Sequence, residues 1–147
     1  MSPLNSGRYF IKSAGADKFV GRARVEDRSL NPKRVILRAE DGETPVFELK
    51  DQGKTFEIVI GGGSAASIND KVSAVLMPEE PAQQWIIEEV PQSGSNKYLI
   101  MDSQKDGGWV LPDDAPETQL VVRPLIATKS LPPQYPPNQV WEIVPVN

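Results

Sequence analysis

Two segments of this sequence share one pattern: a basic residue, then Ser-Leu, then a variable residue and a proline. They are Arg28-Ser29-Leu30-Asn31-Pro32 and Lys129-Ser130-Leu131-Pro132-Pro133. A trypsin-like serine protease binds Arg or Lys in a deep pocket that ends in a carboxylate, and Ser-Leu on the leaving-group side is sterically undemanding. The pattern therefore predicts two peptide bonds that such an enzyme could bind, one after Arg28 and one after Lys129.

Whether such a bond is cut or only bound depends on the stiffness of the segment. Both pentapeptides lie in long polar stretches with prolines, at about residues 23–34 and 127–138. A preorganised loop loses less entropy on binding and keeps the new amine beside the acyl-enzyme, so that religation competes with hydrolysis. The two stretches thus favour a reversible, substrate-like inhibitor. The alternative is that Arg28 and Lys129 are ordinary solvated charges.

Other groups of polar residues fit structural roles better than chemical ones. Gly61-Gly62-Gly63-Ser64 lacks the lysine and the spacing of a P-loop, so it is interpreted as a hairpin turn. The carboxylates of Asp113-Asp114-Glu117 and Glu79-Glu80 lie beside prolines and match neither a calcium-ligand nor a glycosidase spacing. We therefore expect solvated charges there and no metal site.

The composition excludes several classes of function. The 147 residues include no cysteine and no histidine, which rules out disulfides, Cys/His zinc sites and Ser-His-Asp or Cys-His catalysis. We expect no enzymatic activity and no cofactor. With a net charge of −4 and no run of five like charges, nucleic acid is not an expected partner. No segment approaches the ~20 apolar residues of a membrane span and no leader-like start is present, so we expect a cytoplasmic protein that does not bind membranes. We also expect a monomer.

Two interleaved aromatic patterns recur about every 45 residues and organise the chain. The first comprises Tyr9-Phe10-Ile11, Phe56-Glu57-Ile58 and Tyr98-Leu99-Ile100, and the second comprises Phe47-Glu48-Leu49, Trp85-Ile86-Ile87 and Trp141-Glu142-Ile143. Short runs rich in β-branched residues lie between them. These patterns predict a single all-β domain, 1–147, built from three pseudo-repeats of four strands with limits near 7–53, 54–94 and 95–147.

Three such units are too few to close a propeller, so they favour a barrel capped by hairpins, the β-trefoil. A two-sheet sandwich is the structural alternative. The Gln-x-Trp patterns ending at Trp85 and Trp141 would place these tryptophans in the core. Trp109 follows Gly107-Gly108 and is the tryptophan that we expect to face a ligand such as a sugar.

The sequence resembles the mushroom β-trefoil inhibitors of serine proteases, the cospin-type family. The resemblance is carried by Gly7-Arg8-Tyr9-Phe10-Ile11, Val20-Gly21-Arg22, residues 26–35, the segment from Glu80-Pro81-Ala82 to Trp85, Val122-Arg123-Pro124-Leu125-Ile126 and Tyr135-Pro136-Pro137-Asn138-Gln139. It implies a cytosolic fungal defence protein that inhibits trypsin-like enzymes. A basic residue before the scissile bond, the P1 residue, would enter the protease pocket.

The expected reactive loop comprises Glu26, Asp27, Arg28, Ser29, Leu30, Asn31 and Pro32. Arg28 would be P1 and Ser29 P1′, with Asn31 and Pro32 holding the loop. An aspartate at P2 is not ideal for a trypsin substrate. The alternative reactive loop comprises Lys129, Ser130 and Leu131, and Arg24 and Lys33 are less favoured because of the residues that follow them. Related mushroom trefoils inhibit cysteine proteases or bind carbohydrate as lectins, and both functions remain open.

Overall fold

The computed structural model describes residues 4–38, 42–77 and 82–146, and strands dominate this part of the chain. The strands are β1 Gly7–Ser13, β2 Lys18–Arg22, β3 Lys33–Leu37, β4 Phe47–Asp51, β5 Phe56–Ile60, β6 Gly63–Ile68, β7 Lys71–Val75, β8 Trp85–Glu89, β9 Lys97–Asp102, β10 Gly108–Val110, β11 Val121–Arg123 and β12 Trp141–Pro145. Two short 3₁₀ turns, Pro91–Ser93 and Pro137–Gln139, are the helical segments of the described residues. The all-β prediction is confirmed, whereas the limits of the three units stay a prediction.

Six strands form a closed barrel. β1 pairs with β4 and β12, β5 pairs with β4 and β8, and β9 pairs with β8 and β12, so the ring has no free edge. The remaining strands form three hairpins, β2–β3, β6–β7 and β10–β11. Pairing of β7 with β3 and β11 joins the hairpins into a cap. This is the predicted trefoil rather than the two-sheet sandwich.

The barrel is filled by the three tryptophans together with alternating apolar residues of the strands. Trp85, Trp109 and Trp141 are all 0% exposed, and the Trp109 ring lies edge-on to Trp85 at 5.7 Å and to Trp141 at 6.1 Å between ring centroids. The expectation that Trp109 faces a ligand is therefore wrong. The reason lies in Gly108, where a Cβ would come within 2.7 Å of the Ile100 carbonyl oxygen. This close approach seats β10 against the barrel.

The two Gln-x-Trp motifs have structural roles, as expected for Trp85 and Trp141. The Trp85 indole N–H donates to the Ala65 carbonyl at 2.9 Å, and that of Trp141 donates to the Trp109 carbonyl at 3.1 Å. The buried Gln139 amide bonds the main chain of Ile126 twice, accepting from its N–H at 2.9 Å and donating to its carbonyl at 2.8 Å. These two hydrogen bonds hold the segment after β11 against the core.

The glycine-rich segment forms a two-residue hairpin turn, as predicted. Gly61 and Gly62 join β5 to β6 with φ of +57° and +81°, the left-handed conformation that such turns need. Within the described ranges, no group of three or more acidic residues is placed to hold a metal ion, and no helix is long and apolar enough to cross a membrane. Glu79, Glu80 and Pro81 lie outside the described residues.

Candidate functional site

The β2–β3 loop, residues 23–32, presents Arg28 to solvent. Residues 27–32 are all exposed, and Arg28 makes no hydrogen bond or ion pair with any residue that the structure describes. The loop is shorter than the predicted 23–34, because Lys33 and Arg34 already belong to β3. Arg28 is thus an exposed loop cation that has no partner within the described part of the chain.

The residues on either side of Arg28 bond to each other. The Asp27 carboxylate oxygen Oδ1 accepts from the Ser29 main-chain N–H at 3.0 Å and from the Ser29 hydroxyl at 2.6 Å. The Ser29 Oγ in turn accepts from the Asn31 N–H at 3.2 Å. These bonds pass around Arg28 without using its side chain, so they order the main chain and leave the guanidinium free.

Lys33 supports this arrangement from inside the protein. It is only 5% exposed, and its ammonium donates to the Asp27 main-chain carbonyl at 3.1 Å, to the Asp27 carboxylate, and to Ser29 Oγ at 3.5 Å. The side-chain hydrogen bond from Lys33, followed by those from the Ser29 hydroxyl and N–H, lowers the pKa of Asp27 from 3.8 to about 2. The negative charge of Asp27 is therefore balanced by the Lys33 ammonium.

Arg22 holds the beginning of the same loop. Its Nε donates to Glu26 Oε2 at 3.0 Å and its Nη2 to Glu26 Oε1 at 2.5 Å, while Nη1 donates to the Gly61 carbonyl at 2.8 Å. Both side chains of the ion pair are about four-fifths buried, at 19% and 18% exposure. A two-bond pair of this kind fixes orientation as well as distance. The loop is thus linked to strand β2 and to the β5–β6 turn.

The alternative loop, residues 124–136 between β11 and the second 3₁₀ turn, is also held at its base. The Thr128 N–H donates to the Gln134 carbonyl and the Gln134 N–H to Thr128 Oγ1, both at 2.9 Å. The Gln92 amide donates to the Pro133 carbonyl at 2.8 Å. Lys129, Ser130 and Leu131 are exposed at its tip, and Lys129 has no bonded partner among the described residues.

Comparison with known proteins decides the family. The sequence profile of the family described as Peptidase inhibitor I66 matches residues 1–145. The chain belongs to this family. A serine protease inhibitor from Lentinula edodes is 41% identical to it over 143 residues, which cover 96% of this chain and 97% of that protein. The I66 chain is thus a member of the fungal serine protease inhibitors that it was predicted to resemble, and its relatives are inhibitors rather than enzymes.

Solved structures agree with this assignment. A proteinase inhibitor from Coprinopsis cinerea matches the I66 chain with a TM-score of 0.92 and 31% identity, covering 98% of this chain and all of the other. ThreeFoil, a designed threefold symmetric protein, matches with a TM-score of 0.67 and 17% identity, covering 95% of this chain and 99% of the other. The second match concerns the fold alone.

Exposed apolar side chains of the I66 inhibitor concentrate in its two candidate loops. The described residues include five large hydrophobic side chains that are mostly exposed: Val25, Leu30, Met77, Ile126 and Leu131. The first and second lie in the β2–β3 loop, and the last two lie in the loop after β11. Contiguous exposed apolar patches mark surfaces that bind other molecules, whereas single exposed apolar side chains are ordinary on a protein surface. Leu30, at 64% exposure, directly follows the Arg28-Ser29 pair.

The residues that hold the β2–β3 loop differ from those expected from the sequence. Asn31 and Pro32 were expected to do so, but Lys33 and Arg22 make the anchoring bonds, and Asn31 adds one main-chain N–H. A signal for Lys33 was present in the sequence. It lies two residues before Val35 in β3, and alternation along a strand places both on the inward face. Its burial also removes Lys33 from the candidates for P1.

Proposed function

We propose that this inhibitor acts reversibly on trypsin-like serine proteases, with Arg28 as the P1 residue and Ser29 as P1′. The observation that carries the proposal is the contrast among three consecutive residues of the β2–β3 loop, Asp27, Arg28 and Ser29. Asp27 and Ser29 are bonded to each other and to Lys33, whereas Arg28 between them is exposed and has no partner among the described residues. Arg28 can enter a protease pocket without breaking any of these bonds.

This arrangement favours binding energetically. A bound P1 arginine pairs with the carboxylate at the base of the pocket, and Arg28 gives up no internal ion pair to do so. The loop has already lost much of its conformational freedom, so binding costs less entropy than for a flexible peptide. Arg22 and Lys33, in contrast, would each have to break several bonds to reach a protease.

The aspartate at P2 is compatible with the proposal because its carboxylate is bonded to residues of the inhibitor itself. Asp27 is an unfavourable P2 residue in a flexible substrate, where its carboxylate would lie beside the protease unpaired. Here the carboxylate accepts from Lys33 and from Ser29. A carboxylate neutralised by an adjacent ammonium presents little net charge to an approaching protease.

The second candidate is the alternative loop with Lys129 at P1. It is favoured by the exposure of Lys129, which has no partner among the residues that the structure describes, and of Leu131, which is 96% exposed. Its three central residues lack the charged anchors of the β2–β3 loop, so we rank it second. The carbohydrate-binding alternative loses its main support, because Trp85, Trp109 and Trp141 are buried. Inhibition of cysteine proteases, the cytoplasmic location, the defence role and the monomeric state stay predictions.

The decisive experiment is a titration of trypsin with the wild-type protein, Arg28→Ala, Arg28→Glu and Lys129→Glu. We expect nanomolar inhibition by the wild type and by Lys129→Glu. Arg28→Ala should lose at least ~2 kcal/mol, about thirtyfold in Ki, and Arg28→Glu should not inhibit. Lys50→Glu, an exposed charge reversal on β4, is the control. If Arg28→Glu inhibits and Lys129→Glu does not, then the alternative loop is the reactive one.

A further inference from the structure

Lys33 is the one charged residue that is buried in the described part of the chain. A buried ammonium is costly unless it is paired and fully hydrogen-bonded. Its main chain is fixed by the pairing of β3 with β7, where Lys33 lies opposite Ala74. Its ammonium therefore extends from a rigid strand to the exposed β2–β3 loop.

The three acceptors of Lys33 lie on the two sides of Arg28. Two belong to Asp27, its main-chain carbonyl and its carboxylate, and the third is the Ser29 hydroxyl. The ammonium contacts thus span the peptide bond between Arg28 and Ser29 without contacting Arg28. The Lys33 ammonium contacts neither the Arg28 carbonyl carbon nor the Ser29 nitrogen, the two atoms that a protease would separate.

We propose that Lys33 is the positioning residue that makes this loop an inhibitor rather than a substrate, by holding both sides of the Arg28–Ser29 bond. The inference rests on the proposed function, since it concerns the same bond. Lys33 keeps Ser29 beside Arg28 after cleavage, so that the bond re-forms before water reaches the acyl-enzyme.

When trypsin attacks, its serine Oγ becomes esterified to the Arg28 carbonyl carbon and the C–N bond breaks. The Ser29 nitrogen leaves as an amine that carries the proton which the serine hydroxyl gave to the protease histidine. In religation this amine attacks the ester carbon, the C–N bond re-forms and the C–O bond breaks. The proton returns through the histidine to the serine oxygen.

A lysine suits this task because its three N–H donors match three acceptors on two residues. Religation depends on the effective concentration of the Ser29 amine at the ester, which falls steeply when the amine can move away. Asp27 precedes the cut bond and Ser29 follows it, so cleavage severs the direct chain link between them. After cleavage Lys33 stays on the same fragment as Ser29, and its hydrogen bonds to Asp27 do not include the bond that breaks, so they tie the two fragments together.

The test follows the fate of the loop in the presence of trypsin. Wild type, Lys33→Met, Lys33→Arg and the exposed control Lys50→Met are incubated with catalytic amounts of trypsin. Cleavage after Arg28 is followed by mass spectrometry and inhibition by residual activity. We expect Lys33→Met to be cut after Arg28 at least about tenfold faster than wild type, with inhibition that fades over time. Lys33→Arg should restore part of the resistance, and Lys50→Met should behave as wild type.

A second readout separates positioning from a loss of folding. Purified protein already cut after Arg28 is incubated with trypsin, and the intact chain is quantified. Wild type should re-form the bond, and Lys33→Met should not. Because Lys33→Met could unfold, Asp27→Asn and Ser29→Ala provide exposed changes at the acceptors, and each should speed cleavage by a smaller factor. Circular dichroism reports the fold of every variant.

The possible failures are distinguishable. If wild type neither inhibits trypsin nor is cut after Arg28, the proposed function itself is wrong. If wild type inhibits through Arg28 but Lys33→Met, Asp27→Asn and Ser29→Ala are all cut no faster, only the role of Lys33 is wrong. An unfolded Lys33→Met with unaltered cleavage of Asp27→Asn and Ser29→Ala also overturns that role.

Discussion

Arg22 and Glu26 form a two-bond ion pair at the beginning of the β2–β3 loop, with N–O distances of 3.0 and 2.5 Å. The remaining nitrogen of the guanidinium donates to the carbonyl of Gly61, in the turn between β5 and β6. The conformation of the loop that carries Arg28 therefore depends on the glycine turn between β5 and β6, which is distant in sequence.

Gly61→Ala should weaken trypsin inhibition although Gly61 lies outside the loop. An added Cβ would come within 2.5 Å of Arg22 Nη1 and displace the guanidinium from Glu26. Gly62→Ala is the matched control, because it incurs a similar left-handed backbone penalty of about 1–2 kcal/mol with no atom within 4 Å of its Cβ. We expect similar losses of unfolding free energy and a higher Ki for Gly61→Ala alone. Equal Ki values would show that Arg22 does not order the loop.

The Asp27 carboxyl should titrate far below an ordinary aspartate. Its folded-state pKa of about 2 is depressed from 3.8, so its contribution to loop stability is complete above pH 3.8 and is lost as pH falls through about 2. Carboxyl ¹³C shifts measured by NMR should give a midpoint near 2, with the Ser29 amide signal moving in parallel. Lys33→Met should raise the midpoint toward 3.8. An ordinary midpoint in the wild type would contradict the described bonds.

Selectivity among proteases should follow the chemistry of Arg28. A guanidinium in the apolar pocket of chymotrypsin or elastase would be buried and unpaired, which costs several kcal/mol. We expect these enzymes to be bound about three decades more weakly than trypsin. Arg28→Leu should move affinity from trypsin toward chymotrypsin, because an apolar P1 side chain suits the apolar pocket. The bonds among Asp27, Ser29 and Lys33 do not use the residue 28 side chain and should stay intact. Inhibition constants for the three enzymes at one salt concentration test this, and equal wild-type values would contradict a basic P1 residue.

Replacement by phenylalanine should lower the free energy of unfolding by different amounts at two core tryptophans. Trp141 donates its indole N–H to the Trp109 carbonyl, whereas the buried Trp109 N–H has no hydrogen-bond partner in the described structure. Both changes remove similar volume, but only Trp141→Phe loses a buried hydrogen bond. Trp141→Phe should therefore be less stable than Trp109→Phe by about 1 kcal/mol, measured by urea unfolding. The opposite order would indicate that packing around Trp109 dominates.

The strands were largely predictable because their residues alternate between apolar and polar types. The exception is β6, Gly63–Ile68, whose small residues carry no strand signal. β6 is a strand because it pairs along five residues with β7 and joins β5 through a glycine turn. The burial of Trp109 was likewise not predictable, because β10 has only three residues and their alternation is too short to show which face points inward.

The sequence by itself determined the trefoil class and pointed to Arg28 and Lys129 as basic residues on exposed loops, because alternation, turn residues and the basic-Ser-Leu pattern are local properties. Only the tertiary structure decided what holds the loop that carries Arg28 in place. Arg22 reaches a carbonyl 39 residues away, and Lys33 is buried through the pairing of β3 with β7. A charged side chain turns inward only where distant strands supply both the cover and the acceptors, and no local pattern contains that information.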